Sequence, residues 1–315
     1  MNNLKAFQIK IGGQILDYGL GKQLSLEKIR SFFKKSYEVK NLWTGGRHVL
    51  GILERDDRKL FLKLSTTKGI SELTKNEFRW NEQFHELVSR KLSNYWVPQN
   101  IASGMFNDRL FYLITDYFEG QMLIKGPGNL EISKLLIDNI DNVINFSELI
   151  QNLKLENFYI EEDQNFRKSF LNKVISWYKE VPENIAYEYK INDLLKIIER
   201  DIDIIQSKPR HGDFTPWHLI KLTGGQLGLI DGEHAKKNGV EYYDIGYFIQ
   251  RVFSELRNQN LAEKILSLLV KKNYNIGKLK IVLAARGIGG FLDESLKPSP
   301  DYTFSNKFKS FVETF

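Results

Sequence analysis

The sequence predicts an α+β protein of two lobes, in which a five-stranded antiparallel sheet with one main helix precedes a larger, mostly helical part. The chain has 315 residues, which exceeds the size of a typical single domain. Strand patterns are concentrated before residue 117, and helical spacing of apolar residues dominates after residue 130. We therefore place a first lobe at residues 1–117, of which 1–36 form an additional hairpin and helix, and a second lobe at residues 118–315.

Composition excludes several classes of protein. With 42% hydrophobic and 13% aromatic residues the chain can build a sizeable core, and the absence of cysteine excludes disulfides, thiolate nucleophiles and Cys-ligated metal centres. Residues 1–13 lack the layout of a signal peptide and no apolar run reaches membrane-spanning length, so we expect a cytoplasmic protein without a membrane partner.

The net charge is +6, and residues 1–63 hold 13 Lys and Arg against 6 Asp and Glu. This excess fits attraction of a polyanion, either ATP or nucleic acid, or an ordinary solvated surface.

The first lobe begins with elements that precede the main sheet. Residues 5–24 are typical of a strand, a glycine turn and a second strand, and Ser25 is a suitable N-cap for a short helix. Gly21-Lys22 resembles the end of a phosphate-binding loop, but that motif requires glycine at position 16, which is Leu16. We therefore predict no phosphate-binding loop of that type here.

The five strands of the sheet are predicted at Tyr37–Trp43, Arg47–Leu53, Lys59–Ser65, Val97–Ala102 and Leu110–Asp116. Gly45-Gly46 forms the first turn, and its backbone N–H groups could cover nucleotide phosphates. The turn is not a GxGxxG loop, so an ordinary hairpin turn remains an equal alternative.

The third strand and the helix after it carry a candidate ion pair. The leucines of the strand alternate with other residues, which places Lys63 on the opposite face of the sheet. In the helix predicted at 72–92, Glu77 falls inside the apolar stripe, where a carboxylate is costly unless a cation meets it. Lys63 is the natural partner, although Glu77 could also reach solvent from the edge of the stripe.

The helices of the second lobe are predicted near residues 130–155, 164–180, 190–206, 242–254, 260–272, 277–290 and 304–315.

The stretch between residues 211 and 235 contains a predicted hairpin. Leu219–Leu222 and Leu227–Ile230 are strand-like runs, and Thr223-Gly224-Gly225 between them is a turn signal. A turn centred on the two glycines pairs Leu222 with Leu227 at the closed end of the hairpin.

The same register places His218 opposite Asp231 at the open end, with Asp213 five residues upstream of His218. A slip of one residue would shift the pairing but keep the three groups at the same end. Phosphoryl transfer needs such a set, namely a base that orients a hydroxyl and ligands for a divalent cation that neutralises the phosphates.

Three motifs of this region resemble the aminoglycoside phosphotransferase and choline kinase superfamily: His211-Gly212-Asp213, Leu229-Ile230-Asp231-Gly232-Glu233-His234-Ala235 and Tyr242-Tyr243-Asp244-Ile245-Gly246. The resemblance implies a small-molecule kinase with a two-lobed, protein-kinase-like fold that uses ATP or another nucleoside triphosphate. It implies that residues 1–117 form the nucleotide-binding lobe and residues 118–315 the catalytic and acceptor-binding lobe. It implies that Asp213 is the catalytic base, that Asp231 is a Mg²⁺ ligand and that Asp244 is structural.

The same resemblance assigns further residues to nucleotide binding. Lys63 and Glu77 correspond to the pair that holds the α- and β-phosphates. Tyr117 and Phe118 lie where the hinge contacts the adenine ring, although both could simply belong to the core.

His218 departs from the superfamily, which usually has Asn at this position. Imidazole suits Mn²⁺ or Zn²⁺ better than Mg²⁺, so His218 could ligate a different metal, hydrogen-bond a metal-bound water, or indicate lost catalysis. Glu233 could reach a second metal or a cationic substrate group. A zinc site formed by His211, His218 and His234 is a rival use of the histidines, but its spacing matches no known zinc motif.

These observations predict an ATP-dependent phosphotransferase with Mg²⁺, or possible use of Mn²⁺, that acts on a hydroxyl of a small molecule such as an amino-sugar, a sugar or a choline-like compound. The alternatives are a pseudokinase that binds nucleotide without efficient turnover and, third, a basic nucleic-acid-binding protein, which no aromatic-plus-basic motif supports.

Overall fold

The structure, a computed structural model, describes residues 5–90, 93–160 and 165–315. It confirms the α+β class, with an antiparallel sheet in the N-terminal part and mostly helices after it. The chain divides into two compact units: the first contains Met1–Gly120, Leu155–Glu161 and Leu222–Ala235, and the second contains Gln121–Lys154, Glu162–Lys221 and Lys236–Phe315. No helix among the described residues has the length and apolar composition needed to cross a membrane.

The strands are β1 (Gln8–Ile11), β2 (Gln14–Asp17), β3 (Glu38–Gly45), β4 (His48–Arg55), β5 (Arg58–Ser65), β6 (Tyr95–Trp96), β7 (Asn100–Phe106), β8 (Leu110–Asp116), β9 (Gly120–Met122), β10 (Ser207–Arg210), β11 (Leu219–Leu222), β12 (Leu227–Leu229) and β13 (Lys236–Val240). The α-helices are α1 (Leu26–Phe33), α2 (Lys68–Leu87), α3 (Lys134–Asp138), α4 (Ile140–Gln151), α5 (Phe166–Glu180), α6 (Glu183–Glu188), α7 (Asn192–Asp201), α8 (Tyr243–Ser254), α9 (Gln259–Lys271), α10 (Ile276–Ser295) and α11 (Thr303–Thr314).

The predicted five-stranded sheet has the order β3-β4-β5-β8-β7, and all of its neighbouring strands are antiparallel. One face packs against α1, because Ile29 and Phe33 of that helix join the buried leucines of β4 and β5 in one apolar cluster. The alternation along β5 directs Lys63 to the opposite face, which α2 covers. The sheet thus separates an apolar layer from the layer that carries the polar site.

The main helix of the first unit runs from Lys68 to Leu87 and not from 72 to 92, and Thr67 caps it by accepting from the Ile70 amide. The end of the predicted helix at residues 91–92 and the start of the helix predicted at 164 lie outside the described residues. The β1–β2 hairpin packs against the first turn of α2. The contact is so close that a Cβ on Gly69 of α2 would be 2.0 Å from the carbonyl oxygen of Asp17 at the end of β2.

In the second unit, α10 is the central helix and contacts α5, α7, α8 and α11. It is buried almost continuously from Leu279 to Leu292, and Arg286 lies within that buried run. The helix predicted at 130–155 is divided into α3 and α4 at Asn139, whose side chain donates to the carbonyl oxygen of Leu135. Short elements such as β10, β13 and α6 were not predicted.

The turn after β11 shows why the predicted hairpin register is wrong by one residue. The Leu222 amide donates to the carbonyl oxygen of Gln226, not to that of Leu227, and the Gly225 amide donates back to Leu222. Gly225 has a φ of 90°, the left-handed conformation of a glycine bulge, which inserts one residue into the turn. The strand after the turn ends at Leu229 and does not include Ile230.

Candidate functional site

A buried ion pair joins β5 to α2 in the first unit. The Nζ of Lys63 lies 2.6 Å from Oε2 of Glu77, and both side chains are buried. Burial disfavours the charged form of Lys63, but the surrounding carboxylates of Asp231, Glu77 and Glu233 raise its pKa well above the ordinary value. Lys63 is therefore a fixed ammonium at the centre of the site.

Two acidic residues that follow β12 complete the cluster. Lys63 donates to Asp231, and its Nζ lies 3.3 Å from Oε2 of Glu233. One carboxylate oxygen each from Glu77, Asp231 and Glu233 lie within 4.8 Å of one another. Three hard oxygen donors in this arrangement suit a cation such as Mg²⁺.

The pKa values of Glu77 and Glu233 are shifted in opposite directions. Burial raises the pKa of Glu77 to about 7, although the charge of Lys63 opposes this rise. Burial also opposes ionisation of Glu233, but there the positive charges of Lys63 and Arg47 dominate and lower the pKa to about 2. Glu233 is therefore a carboxylate at neutral pH.

Sequence reasoning missed Arg47 and His48, which follow the glycine turn directly. Arg47 donates to Glu233, whose side chain is fully buried. His48 donates to or accepts from Thr74 at 3.0 Å, and burial, followed by the charge of Lys63, lowers its pKa to about 3, so that it is neutral. The sequence signal that could have identified Arg47 is its position directly after Gly46. In the structure Arg47 links this glycine turn to the acidic cluster through Glu233.

The glycine turn is itself covered by an earlier segment. A Cβ on Gly21 would stand 2.6 Å from the carbonyl oxygen of Gly46, and the Lys22 amide donates to Oγ1 of Thr66. Gly46 has a φ of 61°, and Gly45 pairs with His48 across the turn. The Gly21-Lys22 segment thus lies against the Gly45-Gly46 turn.

The acidic segment is tied to α2 by close packing. Nδ2 of Asn76 lies 3.2 Å from the carbonyl oxygen of Glu233 and 3.0 Å from that of Ala235. The ring of Trp80 covers Gly232, where a Cβ would be 2.1 Å from Cδ1 of the indole. Asp231 has a φ of 70°, which turns its side chain at the end of β12.

Tyr117 and Phe118 follow β8. The Tyr117 amide donates to the carbonyl oxygen of Lys59 at 3.3 Å. The ring of Phe118 packs on Gly228 of β12, where a Cβ would be 2.6 Å from Cε2.

In the second unit, the loop from His211 to His218 is anchored by α8. The amides of His211 and Gly212 donate to the Asp244 carboxylate at 2.7 and 2.8 Å. Burial raises the pKa of Asp244 to about 6, while these two amide donors oppose the rise. His211 is fully buried and its Nδ1 accepts from the Asp213 amide at 3.4 Å, which is a bracing contact.

Asp213 and His218 meet within this loop. Nδ1 of His218 lies 2.9 Å from the carbonyl oxygen of Asp213 and 3.6 Å from Oδ2 of its carboxylate. The structure therefore brings Lys63, Glu77, Asp231 and Glu233 together in the first unit. It brings Asp213 and His218 together in the second.

Known structures share this fold. A thermostable mutant of aminoglycoside phosphotransferase APH(4)-Ia, solved as a ternary complex with ADP and hygromycin B, aligns with a TM-score of 0.67 and 13% identity over 92% of this chain and 98% of that chain. Choline kinase LicA from Streptococcus pneumoniae aligns with a TM-score of 0.57 and 14% identity over 92% of this chain and 99% of that chain. An aminoglycoside-3'-phosphotransferase of type VIII gives a TM-score of 0.53 and 15% identity over 86% and 98%.

The sequence matches no family model and no curated protein. The similarity to these enzymes is therefore one of fold, which confirms the predicted kinase-like two-lobed architecture.

Proposed function

We propose that the protein is an ATP-dependent phosphotransferase that acts on a hydroxyl group of a small molecule. The observation that carries this proposal is the buried Lys63–Glu77 pair, which also binds Asp231, in a chain that has the fold of small-molecule kinases. A buried ammonium shared by three acidic side chains is costly to build, and a triphosphate is the kind of ligand that would use it.

Asp213 is proposed as the residue that orients the acceptor. The acceptor hydroxyl oxygen forms a bond to the γ-phosphorus, the bond from that phosphorus to the β–γ bridging oxygen breaks, and ADP leaves with the bridging oxygen. The hydroxyl proton passes to the Asp213 carboxylate. Asp244 holds the amides of His211 and Gly212, so it fixes the loop from which Asp213 projects.

The donor set fits Mg²⁺, which when bound neutralises the phosphate charge. Asp231 is the proposed ligand, because it is partly exposed and pairs with Lys63, an ammonium that a triphosphate would attract away. Glu233 is a weaker ligand candidate, since Arg47 and Lys63 already pair with its two oxygens. We assign Glu233 to the positioning of Arg47 beside the glycine turn. His218 offers an imidazole next to Asp213, which suits a hydrogen bond to a metal-bound water.

A coupled assay of ADP release over a panel of hydroxyl acceptors tests the proposal. Asp213→Asn should lower the turnover number by about 10²–10⁴-fold and leave nucleotide affinity unchanged. The matched control is Asp138→Asn, an exposed aspartate of the same unit, which should leave both quantities unchanged. Equal turnover in the Asp213→Asn variant and the wild type would exclude Asp213 as the base.

The second candidate is a nucleotide-binding protein without turnover. His218 favours it, because the imidazole contacts the backbone of Asp213 where an oxygen donor would serve Mg²⁺ better. Nucleotide binding that depends on Lys63, together with no ADP release for any acceptor in the panel, would establish this candidate over the kinase.

A further inference from the structure

An aromatic cage lies beside the Asp213 loop, within the second unit. Tyr243 and Tyr247 are one turn apart on α8, on either side of Asp244. Trp177 of α5 lies against the same guanidinium as these two rings, that of Arg286. Burial raises the pKa of the Tyr247 hydroxyl, Arg251 opposes the rise, and the negative charge of Asp213 adds to it. Asp244, which lies between the two tyrosines in α8, accepts from the amides of His211 and Gly212, so the cage lies beside the loop that carries Asp213.

Arg286 of α10 fills this cage. The centre of its guanidinium lies 3.7 Å from the Tyr247 ring, 5.2 Å from the Trp177 ring and 6.0 Å from the Tyr243 ring. Aromatic cages of this kind otherwise bind organic cations such as quaternary ammonium groups. Since the protein's own cation already occupies the cage, a cationic acceptor group cannot bind there.

The hydrogen bonds of Arg286 are incomplete. Nη1 lies 3.2 Å from the Tyr243 hydroxyl, and Nη2 lies 3.8 Å from Oδ2 of Asp293, beyond hydrogen-bond distance. Its Nε has no hydrogen-bond partner among the described residues, although the side chain is only 6% exposed. With its faces against aromatic rings, the guanidinium has only its N–H edge available for a ligand.

Arg251 provides a contrast on the same helix face as Tyr247. It donates to the Tyr247 hydroxyl at 2.6 Å, to Asp293 at 2.7 Å and to Glu255 at 3.3 Å. Two carboxylates therefore accept from the terminal nitrogens of Arg251, although its Nε, like that of Arg286, has no hydrogen-bond partner among the described residues. Lys297 shares Glu255 at 3.7 Å. Arg286 has only a longer contact to Asp293, whose side chain is 34% exposed.

We propose that the acceptor carries an anionic group, a carboxylate or a phosphate, and that the N–H edge of Arg286 binds this group while Asp213 orients the acceptor hydroxyl. This inference rests on the proposed kinase function. A planar guanidinium fixed between rings is suited to paired hydrogen bonds with either anion. An ammonium group such as that of choline or an amino-sugar is not accommodated in this cage, because Arg286 already occupies it.

Isothermal titration tests the inference without turnover. The full-length protein, saturated with ADP and Mg²⁺, is titrated with glucose, glucose 6-phosphate, gluconate, glucosamine and choline. We expect glucose 6-phosphate or gluconate to bind more tightly than glucose, and the two anionic compounds distinguish phosphate from carboxylate. Arg286→Gln should weaken anion binding by at least about tenfold, and the matched control Arg200→Gln, an arginine with 70% side-chain exposure, should not.

Asp293→Asn provides a second test, because the inference expects tighter anion binding whereas a structural defect would weaken anion binding. Because the Asp293 carboxylate competes with an incoming anion for Arg286, its neutralisation should strengthen anion binding severalfold. Tighter binding of glucose, glucosamine or choline, or unchanged anion affinity in Arg286→Gln, would overturn the inference. Weaker anion binding in Asp293→Asn would also overturn the inference. If Arg286→Gln does not fold, the Asp293→Asn variant alone tests whether the anion binds at Arg286. Anion binding that depends on Arg286 without any ADP release would refute the kinase function while leaving the anion site intact.

Discussion

Replacement of Lys63 by methionine should destabilise the first unit strongly. Lys63 is the cation shared by Glu77, Asp231 and Glu233, at 2.6 Å from Glu77 and 3.3 Å from Glu233. The Glu77 and Glu233 side chains are 7% and 0% exposed, so water cannot replace the lost ammonium. Removal of one partner of a buried ion pair costs about 3–5 kcal/mol. For a domain of this size that corresponds to a decrease of about 6–20 °C in melting temperature.

Thermal unfolding followed by calorimetry measures this change. The control Lys59→Met removes a lysine of the same strand whose side chain is 55% exposed, and should change stability by less than about 0.5 kcal/mol. The double variant with Lys63→Met and Glu77→Gln should be less destabilised than Lys63→Met alone, because one uncompensated carboxylate is also removed. A Lys63→Met variant that melts within about 2 °C of the wild type would refute the argument that this lysine neutralises a buried acidic cluster.

Three further changes test the neighbouring contacts. Gly232→Ala should lower stability by about 1–3 kcal/mol in thermal melts, because the added Cβ would meet the Trp80 ring at 2.1 Å. The control Gly126→Ala, whose Cβ would have nothing within 4 Å, should be neutral, and equal melting temperatures of the two variants would contradict this packing. Burial raises the pKa of Asp244 from 3.8 to about 6. Protonation of Asp244 therefore stabilises the folded state fully below pH 3.8, and this contribution is lost as the pH rises through 6. The unfolding free energy of wild type minus that of Asp244→Asn should therefore fall by about 2 kcal/mol from pH 4 to pH 7, and a constant difference would argue against the raised pKa. His218→Asn should raise the ratio of Mg²⁺-supported to Mn²⁺-supported ADP release, since an oxygen donor replaces imidazole, and an unchanged ratio would place His218 away from the metal.

The sequence predicted those features that depend on local pattern. The alternation along β5 and the apolar stripe of α2 each identify a face, and a face fixes which side chains can meet. Lys63 and Glu77 were found in this way, although 14 positions separate them. The five-stranded sheet was predicted from strand-like runs, the first of which are separated by a turn signal.

Contacts between distant parts of the chain were beyond this reasoning. Arg47 and Glu233 are 186 positions apart, and neither lies in a pattern that demands the other. The hairpin register failed for a different reason: Gly224 and Gly225 both permit a turn, and only the backbone conformation shows that Gly225 forms a bulge. A glycine pair therefore predicts that a turn exists better than it predicts the turn's register.

Arg286 illustrates how a functional residue can be hidden in a pattern that was read correctly. In the sequence it interrupts the apolar run of α10, and the helix is predicted in spite of it. In the structure a buried guanidinium at this position loses hydration that its partial contacts with Tyr243 and Asp293 do not fully restore. A methionine of similar length would fill the space between the rings without that cost, since buried charges can often be replaced by apolar side chains without loss of stability. Stability therefore does not explain the arginine, whereas an anionic acceptor bound at its N–H edge does.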